Sequence, residues 1–329
     1  MILVNPFKYK DCMLPIASLN SFILNGQKAN DLFRPELMHR DLIMLCNTYQ
    51  LNLETDDLKT LMEQLFHHEH HDVREDVRRI GVMYGRRLAV FIDALKHPTE
   101  AIKAENLRWK EEHWAYWKDI KQLYVMGGLA SSPFHDMFEQ EIKRKVTDLD
   151  VHVQFDSQDK ALYGMLERYQ SGHFLLFDFG QSFIKRAYVI RKMGENIVER
   201  KLSAVQAKHL EAPKDEEIIS HARHLHRFIL DLLITSLQEV SDVGCDILIS
   251  IANYVRQGEL NPGKSSYGVL SVLSTNYETF LEEELMTKLQ TRIHVKLEHD
   301  ATAMAHHVPQ EPFTAVITLG TAFGISFID

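Results

Sequence analysis

The sequence predicts an α/β protein, and three observations predict it. Apolar runs of strand length alternate with amphipathic, helix-length segments along all 329 residues. Two pairs of such runs are joined by glycine turns, at 178–182 and 320–324, and read as β-hairpins. A third glycine turn, Gly127-Gly128, follows a short apolar run in the other half of the chain. The length favours two domains of ordinary size.

Taken in order, residues 2–4 before Pro6 read as a short strand, and 14–24 as an apolar run closed by an Asn25-Gly26 turn. Residues 36–49 and 56–66 have helical spacing. His67, His68, Glu69, His70 and His71 then precede a strong helix; their spacing offers no third ligand, so a solvated helix start is expected rather than a metal site. Over 72–96, Val73, Val77, Ile80, Tyr84, Leu88, Phe91, Ile92 and Leu95 recur at three and four, with Gly81 and Gly85 near the apolar face for close packing. Residues 101–118 read as one helix whose Trp109, Trp114 and Trp117 are packing residues. Then come strand 123–126, helix 134–145, strand 151–155 and helix 158–169.

The second half holds the run HFLLFDFGQSFIKRAYVI at 173–190, a hairpin with Asp178 where its first strand ends. Strand 196–202, helix 216–240, strand 247–251, a loop over 257–274, helix 277–289 and strand 295–297 follow. Glu298, His299 and Asp300 open a small-residue helix at 301–306, and a hairpin over 315–328 closes the chain.

Composition narrows the function classes. Apolar residues at 45% and charged residues at 25% are ordinary for a soluble globular chain. A net charge of −9 argues against direct nucleic-acid binding. No stretch is long and apolar enough for a bilayer, and no signal peptide is visible, so a cytoplasmic protein without membrane contact is expected. The three cysteines, Cys12, Cys46 and Cys245, are widely spaced, which fits reduced thiols and leaves no structural zinc expected.

A strand-end carboxylate beside a glycine turn suits a Mg-nucleotide: the carboxylate holds the hydrated metal while the turn meets a phosphate. Asp178, Gly180, Gln181 and Ser182 supply that combination. They equally suit an ordinary hairpin with an Asp at its corner.

The pattern resembles the actin and sugar-kinase superfamily, and within it the ROK family of bacterial sugar kinases and sugar-responsive repressors. Asp178-Phe-Gly-Gln-Ser-Phe-Ile-Lys185 looks like the family's first phosphate block, Leu297-Glu-His-Asp-Ala-Thr-Ala303 like the block of the catalytic Asp, and Leu319-Gly-Thr-Ala-Phe-Gly324 like the second phosphate block. Val125-Met-Gly-Gly-Leu-Ala-Ser131 looks like the adenosine block, which in the family comes last and here comes first. The resemblance therefore implies a two-lobed, actin-like ATPase (ribonuclease H-like) fold in circularly permuted form. Residues 1–170 would match the C-terminal lobe and 171–329 the N-terminal lobe; residues 2–4 would continue the sheet after Ile328, and 156–173 would join the old termini.

The resemblance implies ATP-dependent phosphorylation of a hexose or amino-sugar hydroxyl, with Mg-ATP held between the lobes. Asp300 would be the general base, or else a cap of the helix it opens. Asp178 would hold Mg through water, and Gly180, Gln181, Ser182, Gly320 and Thr321 would face the phosphates. Gly127 and Gly128 would admit the adenosine, or simply make a tight turn. Asn276, Glu298 and His299 would face the sugar, with structural roles open for the last two. Lys185 is expected at the surface. Departures from the family are His299 for an Asn, Ala322 for a Gly, and the absence of its Glu-x-Gly-His sugar motif near the start of the chain. They leave open a noncatalytic sugar or nucleotide sensor. The resemblance also suggests a homodimer. His39-Arg-Asp-Leu42 looks like a protein-kinase catalytic loop, but its partners are missing, and an exposed helix face is expected there.

Overall fold

The computed structural model describes residues 5–8, 19–52, 55, 57–157, 159–241, 244–320 and 322–328. The expected strand at 2–4, Cys12 and Thr321 lie outside them. In chain order the elements are β1 (Ile23–Leu24), β2 (Gln27–Lys28), α1 (Ala29–Leu32), α2 (Pro35–Thr48), α3 (Leu58–Phe66), α4 (His71–Lys96), α5 (Glu100–Glu105) and α6 (Glu111–Asp119). Then follow β3 (Gln122–Met126), α7 (His135–Lys145), β4 (Asp150–Val153), α8 (Lys160–Gly164), β5 (Gly172–Phe179), β6 (Phe183–Lys192) and β7 (Glu195–Gln206). The rest are α9 (Ile218–Val240), β8 (Asp246–Ile251), β9 (Val255–Arg256), β10 (Glu259–Leu260), α10 (Tyr277–Leu289), β11 (Val295–His299), α11 (Asp300–Ala305), β12 (Thr314–Leu319) and β13 (Phe323–Ile328).

The chain divides into two compact units, Met1–Gln158 with Val308–Asp329, and Asp159–His307. This differs from a division at residue 170. Strand pairing is the reason: β12 lies parallel to β3, so the closing hairpin belongs to the first unit's sheet.

The second unit is built on a mixed sheet of order β11-β8-β5-β6-β7. β5, β6 and β7 form an antiparallel meander, while β8 and β11 run parallel to β5. β5 is buried on both faces, which is why it reads as a continuous apolar run instead of an alternating one. Leu175, Phe177 and Phe179 point to one face and join Leu225, Ile229 and Leu233 of α9 and Leu281 and Leu285 of α10. Phe174 and Leu176 point to the other and join Leu162, Met165, Leu166 and Ala303. A Cβ on Gly164 would overlap the carbonyl oxygen of Ala303, so α8 seats directly on α11. At the sheet's edge, Glu278 and Glu282, one turn apart on α10, accept the N–H groups of Leu297 and Val295 at 2.9 Å each. That occupies two donors an edge strand would otherwise present.

The first unit carries a four-stranded sheet, order β13-β12-β3-β4, with β12 and β13 antiparallel and β3 and β4 parallel to β12. α4 packs on α7 at its glycines, as the sequence led one to expect: a Cβ on Gly81 would meet Met137 Sδ at 2.6 Å, and one on Gly85 the Met137 carbonyl at 2.9 Å. Trp109, Trp114 and Trp117 are buried packing residues. Asn25 and Gly26 both take positive φ, making the expected two-residue turn between β1 and β2.

Three expectations fail locally. Residues 101–118 form two helices, α5 and α6, because Asn106 leaves the helix and bonds the Ile23 backbone at both its N–H and its carbonyl. Part of the expected loop at 257–274 is a 3-10 helix, Ser266–Val272, packed into the core by Tyr267, Val269 and Leu270. Asp41 is only partly exposed; it accepts the Tyr84 hydroxyl at 2.9 Å and ties α2 to α4. Among the described residues no helix is long and apolar enough to cross a membrane.

Candidate functional site

In the second unit, β5, β8 and β11 are parallel, and their carboxyl ends share one edge of the sheet. Two carboxylates stand there. Asp178 is the penultimate residue of β5, and Asp300 follows β11 as the first residue of α11. Ser250 of β8 lies between them and donates its hydroxyl to Asp178 Oδ1 at 3.2 Å. Burial raises the Asp178 carboxyl to about 6; Lys185 opposes that shift and the charge of Asp300 adds to it. Burial likewise lifts Asp300 to about 6, against the Ala301 N–H it accepts.

Asp300 is held by its own helix and by its neighbour. Its Oδ1 accepts the Ala301 N–H at 2.7 Å and lies 3.0 Å from His299 Nε2. His299 is buried, stacks on the Tyr254 ring with centroids 4.4 Å apart, and is pushed by burial down to about 4. The neutral imidazole therefore lies against the carboxylate as a close polar neighbour and not as a charged partner. The one hydrogen bond and the ring contact both fall on Oδ1, which leaves Oδ2 as the oxygen not engaged among the described residues. The helix N-cap is His299 and not Asp300, so the expected cap role passes to the neighbour's backbone.

The hairpin turn is braced from the segment that looked like loop. Tyr267 donates its hydroxyl to the Gly180 carbonyl at 2.8 Å, and Gln181 Nε2 donates to Ser266 Oγ at 2.7 Å. Burial, with the charge of Asp178, raises the Tyr267 phenol far above its ordinary value, so the donor stays protonated. Gly180 does not use a left-handed φ; a Cβ there would sit 2.9 Å from the Phe183 carbonyl, so close backbone approach within the turn is what requires glycine. The Ser182 side chain is exposed. Lys185 is not a plain surface residue: opposite Asp178 in the ladder, its Nζ lies 3.9 Å from Asp178 and 3.3 Å from Asp159, which also pairs with Lys201. Ser250, Tyr254, Ser266 and Tyr267 were invisible as site residues in sequence, since no motif marks them.

The expected sugar contacts fare differently. Asn276 is the N-cap of α10: its Oδ1 accepts the Thr279 N–H at 3.0 Å and its Nδ2 donates to the Gln257 carbonyl at 2.9 Å. Glu298 points to the opposite face from His299 and is tied to Arg168 at 3.2 Å and to His306 at 2.9 Å. Both side chains are thus committed to the fold.

In the first unit the two glycine turns meet. A Cβ on Gly127, at φ +100°, would lie 2.6 Å from the Leu319 carbonyl, and Leu129 N–H donates to that same carbonyl at 3.1 Å. The Ser157 hydroxyl takes the Gly127 N–H at 2.9 Å. Gly127 is therefore required by the turn geometry, which both of its expected roles share. Gly128 is exposed, with nothing within 4 Å of an added Cβ. Beside Gly320 lies a space of about 10 Å³, bounded in part by Leu129, Leu319, Ala322 and Phe323. Asn20 clamps the same turn, accepting the Phe323 N–H at 2.7 Å and donating to its carbonyl at 2.8 Å. Ala322 is exposed, so its methyl stands at the open side of the turn.

No protein-family model and no curated protein matches the chain. Among solved structures it is similar to an exopolyphosphatase-like protein, at 11% identity over 67% of this chain and 87% of that one, with a TM-score of 0.26. A likeness of that strength carries no argument, and the functional reading rests on the chain's own topology and residues.

Proposed function

We propose that the chain is a circularly permuted, actin-like phosphotransferase that passes the γ-phosphoryl group of ATP to a sugar hydroxyl. One observation carries the reading: two partly buried carboxylates, Asp178 and Asp300, at the carboxyl ends of parallel strands flanking β8 in one sheet. Ligand sites of open α/β sheets lie at that edge. Strand order supports it. Numbered from the hairpin strand, the second unit's sheet runs 3-2-1-4-5, the order of ribonuclease H-like lobes. The first unit repeats the described part of it, 2-1-4-5, with strands 1 and 2 at the end of the chain and 4 and 5 near its middle.

Asp300 acts as general base through Oδ2, while the Ala301 N–H holds Oδ1 and the His299 ring lies beside it. Asp178 holds Mg through water. The donor chemistry fits that role: Asp178 is a hard carboxylate oxygen ligand at the strand end, with Ser250 on its Oδ1, and such oxygens suit Mg²⁺. Bound Mg²⁺ supplies charge neutralisation at the phosphates. In the second unit Gly180 and Ser182 serve a phosphate; in the first, Gly320 and Gly128 are the proposed nucleotide contacts. The sugar is a hexose or amino sugar.

A second reading is a noncatalytic sensor of sugar or nucleotide. Asn276 and Glu298, given over to a helix cap and an ion pair, favour it. Calorimetric titration with Mg-ATP tests the nucleotide half of both readings. Asp178→Asn should weaken Mg-ATP binding about tenfold or more while leaving Mg-free ATP binding little changed; equal loss with and without Mg would remove Asp178 from the metal.

A further inference from the structure

We infer that the exposed side of α4 holds a site for an amphipathic anion, an acyl carboxylate in free solution, separate from the residues assigned above. A groove of about 660 Å³ lies there in the first unit, within the range of small-molecule sites. Its α4 wall repeats at three and four from Glu75 to Val90, about 22 Å of helix, so the groove is long and suits a chain rather than a compact ring. Val82, Met83 and Val90 from α4, with Leu24 and Leu32 facing them, give it an apolar lining. Val90 is 41% exposed, so the lining is open to a ligand.

Charge complementarity names the head group. Arg78, Arg79, Arg86 and Arg87 border the groove against one carboxylate, Glu75, in a chain whose net charge is −9. Three of these arginines have carboxylate partners: Arg78 with Glu75, Arg79 with Asp76, and Arg86 with Glu141. Arg87 has none among the described residues. Its guanidinium lies 4.7 Å from the centroid of the Tyr84 ring, and the buried Tyr84 is itself fixed by its bond to Asp41. A guanidinium oriented on an anchored aromatic and lacking a counter-ion, beside an apolar groove, is arranged for a carboxylate with an alkyl tail.

The test is titration calorimetry of the full chain with dodecanoate, with dodecanol as the uncharged probe. Dodecanoate should bind about tenfold or more tighter than dodecanol, and Arg87→Gln should erase most of that difference. Val90→Asp, a substitution at an exposed position, should weaken dodecanoate to a similar extent, which keeps the test intact if Arg87→Gln fails to fold. Equal affinity for both probes, or dodecanoate binding unchanged by the variants, would overturn the proposal. So would phosphatidylglycerol-vesicle binding that depends on the same residues, or self-association abolished by Val90→Asp. These would make the face a membrane or protein contact instead.

Discussion

The two sheets share a strand order where both are described, yet they put different chemistry at the ends of equivalent strands. In the second unit Asp178 is the penultimate residue of the first strand, and Asp300 follows the fifth. In the first unit the first strand ends at Gly320, and the fourth runs into Gly127 and Gly128. One sheet presents partly buried acid; the other presents bare backbone. In the proposed reading, the same topology supplies groups for metal and proton transfer in one copy, and groups for nucleotide approach in the other.

The largest effect expected from breaking this contrast is at Asp300. Asp300→Asn should lower phosphotransfer by about 10²–10⁴-fold, the range for a positioned general base, while leaving nucleotide affinity nearly intact; stopped-time phosphotransfer beside calorimetry separates the two. The same change should make the fold more stable at pH 8. A carboxyl whose folded value is raised from 3.8 to about 6 stabilises the fold below pH 4, and that contribution is lost as pH rises through 6. Melting curves at pH 4 and 8 would show the Asn variant gaining only at the higher pH.

Activity should run the other way. With both carboxyls near 6, turnover should rise as pH passes from about 5 to 7, and His299→Asn should displace this limb if the imidazole positions Asp300. An identical limb in that variant would assign His299 to packing alone.

Two glycines sharpen the comparison within the first unit. Gly127→Ala, at φ +100° and against the Leu319 carbonyl, should cost on the order of 1–3 kcal/mol of stability. Gly320→Val meets open space, so it should leave the melting temperature nearly unchanged and weaken ATP binding about tenfold. A reversed pattern would exchange their roles. The smallest effect is at Asn276: loss of the α10 cap by Asn276→Ala should cost about 1 kcal/mol with little change in KM for sugar. A large rise in KM would restore it as a substrate contact.

What was legible in sequence was local. The Asp178 hairpin, the Asn25-Gly26 turn, the α4 glycines and α10 follow from spacing and turn chemistry within one stretch. What was not legible depends on long-range partners. Asn before a helix suits a sugar contact and a cap equally, and only the fold shows its amide engaged. Glu298 meets Arg168, 130 residues away, and Tyr267 reaches Gly180 across 87 residues, distances no motif encodes. The domain boundary moved because β12 pairs with β3, a contact between the end of the chain and its first half.

The central claim is tested most directly by a coupled ADP-release assay with Mg-ATP over hexoses and N-acetylhexosamines, comparing wild type with Asp300→Asn. The account predicts turnover with at least one sugar, lost in the variant, at unchanged ATP affinity. ATP binding without turnover on any sugar would contradict the kinase and leave the sensor.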